Sequence, residues 1–303
     1  MSFITSNSIL QQIHHALLDE HGVELFIKRD DLIHTEVSGN KWRKLKYNFE
    51  QFRRSKKEYI LTFGGAFSNH LLATASACYQ NGIASIGIVR GEELNVDANH
   101  ILKRCADLGM RLEFISRMEY GMRGDKEYLE ELSLEFPNSF IIPEGGANYL
   151  GMIGCQEIMS EIEGDFDEVF VAQGTSTTSC GLLLSNKTKS LHVVPALKGY
   201  QSISEMTQLL SRTGVERELI DDLLLKVTVH DNAHFGGYAK ADEQLLRFIK
   251  KINDEMNLPL DKVYTGKAFF ALMNELESGR LDGKKIVFVH TGGLYGVVNE
   301  LID

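Results

Sequence analysis

The run Ser38-Gly-Asn-Lys-Trp-Arg-Lys-Leu45 places one lysine, Lys41, on a glycine turn at the mouth of a helix. Trp42, Leu45 and Phe49 recur at helical spacing, so they turn toward a core and leave Lys41 on the opposite side of the first turn. A lysine held there can be stripped of water, lose its proton and act as a nucleophilic amine, the requirement of Schiff-base chemistry. Taken alone, the four Lys and Arg residues within 41–46 read better as a solvated basic helix face.

Three further strand–turn–helix junctions carry small residues suited to anions. In Leu61-Thr-Phe-Gly-Gly-Ala-Phe-Ser-Asn-His70, two glycines permit a sharp turn, and Ser68 or Asn69 is a natural cap whose helix start offers N–H groups to a carboxylate. In Val169-Phe-Val-Ala-Gln-Gly-Thr-Ser-Thr-Thr-Ser-Cys-Gly181, Gly174 is followed by five hydroxyl residues and a helix near Cys180. Hydroxyls and exposed N–H groups at a helix dipole suit a phosphate, although a plain Ser/Thr-rich turn reads the same way. The loop is neither a Walker A motif nor a G-x-G-x-x-G fingerprint, which disfavours a dinucleotide-dependent oxidoreductase. Val289-His-Thr-Gly-Gly-Leu294 brings Thr291 to the end of an apolar strand, and Pro143-Glu-Gly-Gly-Ala-Asn148 is a similar turn. Phosphate-suited turns beside a poised lysine point to a cofactor with both a phosphate and an aldehyde.

The elements that position these turns alternate between strand and helix. Strands are expected at Glu24–Lys28, Tyr59–Phe63, Ser85–Val89, Arg111–Ile115, Phe140–Ile142, Glu168–Ala172, Leu191–Pro195, Lys226–Val229 and Lys285–His290. Several are continuously apolar, as in a parallel sheet covered on both faces. Helices are expected at Asn69–Asn81, Asn95–Leu108, Lys126–Glu135, Gly154–Glu163, Ser202–Ser211, Ala241–Met256 and Gly266–Ser278. This is an α/β pattern, and 303 residues suggest two domains or lobes with a site between them.

Composition narrows the partners. A formal net charge of −10 argues against nucleic acid and anionic membrane surfaces. No run of about 18 apolar residues predicts a membrane span, and the N-terminal segment does not read as a secretory signal. Cys78, Cys105, Cys155 and Cys180 are scattered, so they read as reduced, mostly buried thiols of a cytoplasmic protein, and no metal-ligand spacing appears.

In order along the chain, IKRDDL with SGNKWRKL, FGGAFSNH, PEGGAN, QGTSTTSCG, GGYAKADE, VYTGK and HTGG resemble the motifs of the fold-type-II pyridoxal-phosphate enzymes. Within these, the chain is similar to the 1-aminocyclopropane-1-carboxylate deaminase / D-cysteine desulfhydrase family, from Ile27 to Gly296. The resemblance implies a two-lobed α/β fold like that of the tryptophan synthase β subunit, with mostly parallel sheets flanked by helices. Residues 1–47 plus 156–303 would form the large cofactor-binding domain and 48–155 a small inserted one.

It further implies pyridoxal 5'-phosphate as cofactor, bound covalently by Lys41 with Asn40 beside it. Gly174, Thr175, Ser176, Thr177 and Thr178 would cradle the phosphate, and Thr265, Thr291 and Gly292 would complete the cofactor site. Ser68, Asn69 and His70 would bind the substrate carboxylate, with Asn69 also near the cofactor's 3-hydroxyl and Ser68 in proton transfer. Tyr238 and Tyr264 match two active-site tyrosines. The cyclopropane deaminases carry glutamate at the position of Thr265 and leucine at that of Thr291; both threonines match the desulfhydrases. The implied activity is β-elimination from D-cysteine or a related small amino acid. The alternatives are ring-opening deamination of 1-aminocyclopropane-1-carboxylate and a cofactor-binding protein with little turnover. Family members are commonly homodimers. The chain departs from the pattern at Ser176, where relatives usually carry glycine, in His234-Phe-Gly-Gly-Tyr238, and in a shorter segment before Ile27 that lacks a proline-containing motif.

Overall fold

The structure is a computed structural model that describes residues 5–295. Its strands are β1 (Leu10–Ile13), β2 (Glu24–Lys28), β3 (Tyr59–Gly65), β4 (Ala84–Arg90), β5 (Met110–Ile115), β6 (Ser139–Ile142), β7 (Glu168–Gln173), β8 (Leu191–Pro195), β9 (Val227–Val229) and β10 (Lys285–Val289). They form a six-stranded sheet ordered β1-β2-β10-β7-β8-β9 and a four-stranded sheet ordered β5-β4-β3-β6. Every pairing is parallel except β1 with β2.

The apolar runs of β7 and β10 are buried on both faces. Phe170, Ile286 and Phe288 meet Phe269 and Leu272 on one side, while Val169, Val171, Val287 and Val289 meet Met152, Leu182 and Met206 on the other. Burial of each such side chain contributes about 1.5–3 kcal/mol. The helix Asn40–Arg54 carries Trp42, Leu45, Phe49 and Phe52 into the core beneath the four-stranded sheet, against Ile60, Ala73 and Ile142. The expected division at 47/48 therefore falls inside one continuous helix, and that at 155/156 falls inside the helix Tyr149–Ser160.

Every expected strand is present, and Asn69–Asn81 begins at the Ser68 cap and ends at left-handed Gly82. The structure adds β1, an antiparallel edge too short and polar to show a period, and short helices at Ala16–Glu20, Arg117–Gly121 and Arg217–Leu224. The expected helix Asn95–Leu108 starts only at His100, where the Asn99 side chain accepts from the Ile101 and Leu102 N–H groups.

The expected helix start at Gly154 is corrected to Tyr149, capped by Asn148. Gly154 lies within the helix for another reason: a Cβ there would sit 1.9 Å from the Arg43 carbonyl oxygen. Gly181 meets the same helix, with its Cβ position 2.6 Å from the Met152 carbonyl oxygen. Close glycine contacts thus dock the Lys41 helix and the helix after β7 on a shared neighbour.

Candidate active site

Two turns meet backbone to backbone at the carboxyl ends of β2 and β10. Gly39 has φ +59, and a Cβ there would lie 1.9 Å from the Thr291 carbonyl oxygen; a Cβ on Gly292 would lie 2.3 Å from Ser38 Oγ. Only glycine permits this approach. The Asn40 N–H donates to the Thr291 carbonyl at 3.2 Å. The Asn40 side chain then links its own helix to the one after β7, donating to Thr178 Oγ1 at 2.9 Å and accepting from Lys41 Nζ at 2.8 Å. Burial, followed by repulsion from Lys44, lowers the Lys41 pKa to about 7. A substantial fraction of this amine is therefore free at neutral pH, as nucleophilic or proton-abstracting chemistry requires.

Near Lys44, the loop Gly174–Ser176 leads from β7 into the helix Thr177–Leu184, whose start the Ser176 side chain does not cap. Thr175 and Thr177 hydroxyls lie 3.1 Å apart. The Ser176 hydroxyl points elsewhere, to Tyr200 and Gln173. Gly174 abuts the Tyr264 ring, which a Cβ would approach to 3.2 Å. Lys44, buried one helical turn after Lys41, brings Nζ within 3.5 Å of Thr175 Oγ1. Burial depresses its pKa, and among the described residues it has no carboxylate in ion-pair range. An uncapped helix start, two hydroxyls and an uncompensated buried lysine fit a phosphate ester.

On the four-stranded side, Ser68 caps its helix by accepting from the His70 and Leu71 N–H groups at 3.2 and 3.3 Å. Asn69 Nδ2 lies 3.3 Å from the Gly293 Cβ position, so its amide reaches the turn after β10. His70 is buried with Nε2 2.8 Å from Thr62 Oγ1. That hydroxyl donates to the Ile142 carbonyl, which leaves it to accept from Nε2–H and leaves His70 Nδ1 without a hydrogen-bond partner among the described residues. Burial and the charges of Lys41 and Lys44 push the His70 pKa well below the ordinary value, so the ring is neutral.

The remaining wall holds the tyrosines. Tyr238 and Tyr264 meet edge to face, with ring centroids 6.1 Å apart. Burial raises the Tyr264 pKa well above 10, keeping it a hydroxyl donor. Buried Asp261 caps the helix Thr265–Glu277, accepting from the Val263 and Tyr264 N–H groups at 2.7 Å each and from the Thr265 hydroxyl at 2.6 Å. Lys267, also buried, donates to the Gly237 carbonyl at 2.8 Å and so ties the Tyr238 loop to the same helix.

Several expected site residues thus touch one another: Asn40 reaches Lys41, Thr178 and Thr291, Gly174 abuts Tyr264 and Asn69 approaches Gly293, while the Ser176 side chain turns away. Sequence reasoning missed Lys44, although its position three residues after Lys41 on one helix face was readable. It also missed Asp261, whose cap depends on the exact start of the next helix, and Tyr200, which reaches the loop from a distant segment.

The chain matches the family model described as pyridoxal-phosphate dependent enzyme over residues 11–292. It belongs to that family. A "Bifunctional D-cysteine desulfhydrase/1-aminocyclopropane-1-carboxylate deaminase, mitochondrial" from Arabidopsis thaliana is 32% identical, covering 93% of this chain and 75% of the relative. A "D-cysteine desulfhydrase" from Klebsiella pneumoniae is 30% identical, covering 91% and 89%. A solved structure described as "Crystal Structure Analysis of the ACC deaminase homologue" superposes with a TM-score of 0.79 at 26% identity, covering 99% of this chain and 94% of that one. The fold is the mixed α/β architecture of the fold-type-II pyridoxal-phosphate enzymes, and the cofactor is pyridoxal 5'-phosphate. Lys41 is the amine suited to its aldehyde, and Lys44 with the Thr175–Thr178 turn is suited to its phosphate.

Proposed function

We propose that this enzyme catalyses β-elimination from a small amino acid of the D-cysteine type, releasing a 2-keto acid and ammonia. The observation that carries the reading is the neutral character of Thr265 and Thr291. Thr265 is fully buried with its hydroxyl donating to Asp261, and it offers no acid–base group where a cyclopropane deaminase carries glutamate. Thr291 presents a hydroxyl side chain at the end of β10. A hydroxyl does not hold a pyridine nitrogen protonated as a carboxylate would, and such tuning favours elimination.

Bound pyridoxal phosphate supplies the electron sink that acidifies the substrate's Cα–H. The Lys41 amine, depressed to about 7, is the base that takes this proton, with the Ser68 hydroxyl assisting transfer. The helix start at Ser68–His70 receives the substrate carboxylate, and the tyrosine pair offers hydroxyl donors to the leaving group. In this reading the 48–155 segment acts as the smaller lobe, facing the larger one across the cleft.

The proposal includes a homodimer in the cytoplasm. Four free, buried cysteines suit a reducing compartment, and light scattering would measure the assembly. The deciding assay measures 2-keto acid release from D-cysteine and from 1-aminocyclopropane-1-carboxylate side by side. Release from D-cysteine alone is expected. The bifunctional relative favours a second reading, ring-opening deamination; release from the cyclopropane substrate alone would establish it and overturn the first.

A further inference from the structure

Ser176 occupies an unusual place in the phosphate loop. Its φ is +36 and its ψ −11, a left-handed conformation disfavoured for any residue carrying a Cβ. The side chain is buried and anchored away from Lys44: Ser176 Oγ accepts from Gln173 Nε2 at 3.2 Å and lies 3.0 Å from the Tyr200 hydroxyl. Gln173 is the last residue of β7. Tyr200 belongs to the loop after β8, which is itself paired to β7 through the Ala196 N–H on the Gln173 carbonyl at 2.9 Å. Burial pushes the Tyr200 hydroxyl up to about 12, so it remains an O–H group throughout the neutral range. Ser176 is the residue immediately before the helix Thr177–Leu184, so its φ and ψ set the direction in which the first-turn N–H groups point.

We propose that Tyr200 and Gln173 are positioning residues for the cofactor's phosphate, acting through Ser176. Their hydrogen bonds offset the backbone cost of the left-handed serine and hold the helix start in its phosphate-binding orientation. The inference rests on the pyridoxal-phosphate reading of the site. It assigns Ser176 the part of a strut, where a direct phosphate ligand was expected.

The test titrates the full-length apo chain with pyridoxal phosphate and, separately, with pyridoxal, which lacks the phosphate. Visible absorbance of the bound coenzyme reports affinity, and thermal melting of the apo chain reports folding. Tyr200→Phe should weaken pyridoxal phosphate binding by about three- to tenfold, the effect of losing one hydrogen bond. Pyridoxal binding should not change, and the apo melting temperature should fall by no more than about 2–4 °C, the effect of one lost hydrogen bond. Ser176→Ala keeps the strained backbone and loses both hydrogen bonds, so it should weaken phosphate-dependent binding at least as much. In a Ser176→Gly background the strain is gone, and adding Tyr200→Phe should have no further effect. Equal weakening of both ligands, no weakening, or an undiminished Tyr200→Phe effect in the glycine background would each overturn the proposal. Failure of the unmodified chain to bind pyridoxal phosphate would instead overturn the cofactor reading beneath it.

Discussion

Two faces of the helix Asn40–Arg54 treat buried cations in opposite ways. Arg43 enters a nest of acids, donating to Asp30 at 2.8 and 3.0 Å and to both oxygens of Glu161. Although burial works against its charge, Asp30 and Glu161 raise its pKa above the ordinary value. Lys44, the next residue, is also buried but faces Thr175, and its pKa is lowered. Lys41 shares that face and that direction. Lys46 sits nearer the surface, paired with Glu157 at 2.6 Å. A run that reads as one basic stripe therefore separates into a structural cation, two site cations and a surface pair. The difference is the supply of carboxylates: charge neutralised within the fold stabilises it, whereas charge left uncompensated is available to a ligand.

Lys41→Ala should remove the reactive amine and lower turnover by more than about a thousandfold while the chain still folds; circular dichroism and the keto-acid assay would check both, and retained activity would remove Lys41 from its role. Arg43→Met should leave Asp30 and Glu161 buried without their cation, costing about 3–5 kcal/mol in urea unfolding. The same nest predicts acid sensitivity in the unmodified chain. Burial opposes the Glu161 charge, but Arg43 and Lys28 pull its pKa from 4.5 down to about 2. Its contribution is complete above pH 4.5 and should fade as pH falls toward 2.

Lys44→Met should do the reverse of Arg43→Met. The apo chain should become more stable, by on the order of 1 kcal/mol, while pyridoxal phosphate affinity falls roughly ten- to a hundredfold. A destabilised apo chain with unchanged affinity would erase the contrast between the two faces. Cofactor capture supplies a pH test: below about 7 the Lys41 amine is protonated, so the capture rate should rise with pH and level off above that value. A rise deferred to the ordinary lysine range near 10.5 would show that Lys41 is not desolvated. Lys46→Ala, the smallest change, should cost less than about 1 kcal/mol and leave turnover intact.

Much of the fold was legible because its signals are local. Apolar runs marked the strands, and the Ser68 cap with Gly82 bounded a helix. The glycine and hydroxyl turns of the site are equally local, and the ordered motifs placed them together. What was hidden depends on distant neighbours. Nothing near Arg43 or Lys44 reveals that Glu161 turns toward one and Thr175 toward the other. Gly154 resembles a helix boundary until the Arg43 carbonyl is seen against it. Ser176 suggests a phosphate ligand until Tyr200 arrives from the next strand's loop.

The contact between Gly39 and Thr291 bears on how the protein is made. β10 lies between β2 and β7, so the six-stranded sheet cannot close until β10 has left the ribosome. The Lys41 turn, synthesised early, has no back wall until then. A nascent chain carries its reactive lysine through the synthesis of everything between the helix Asn40–Arg54 and β10 without the surroundings that activate it, and cofactor loading becomes a step that follows the arrival of β10.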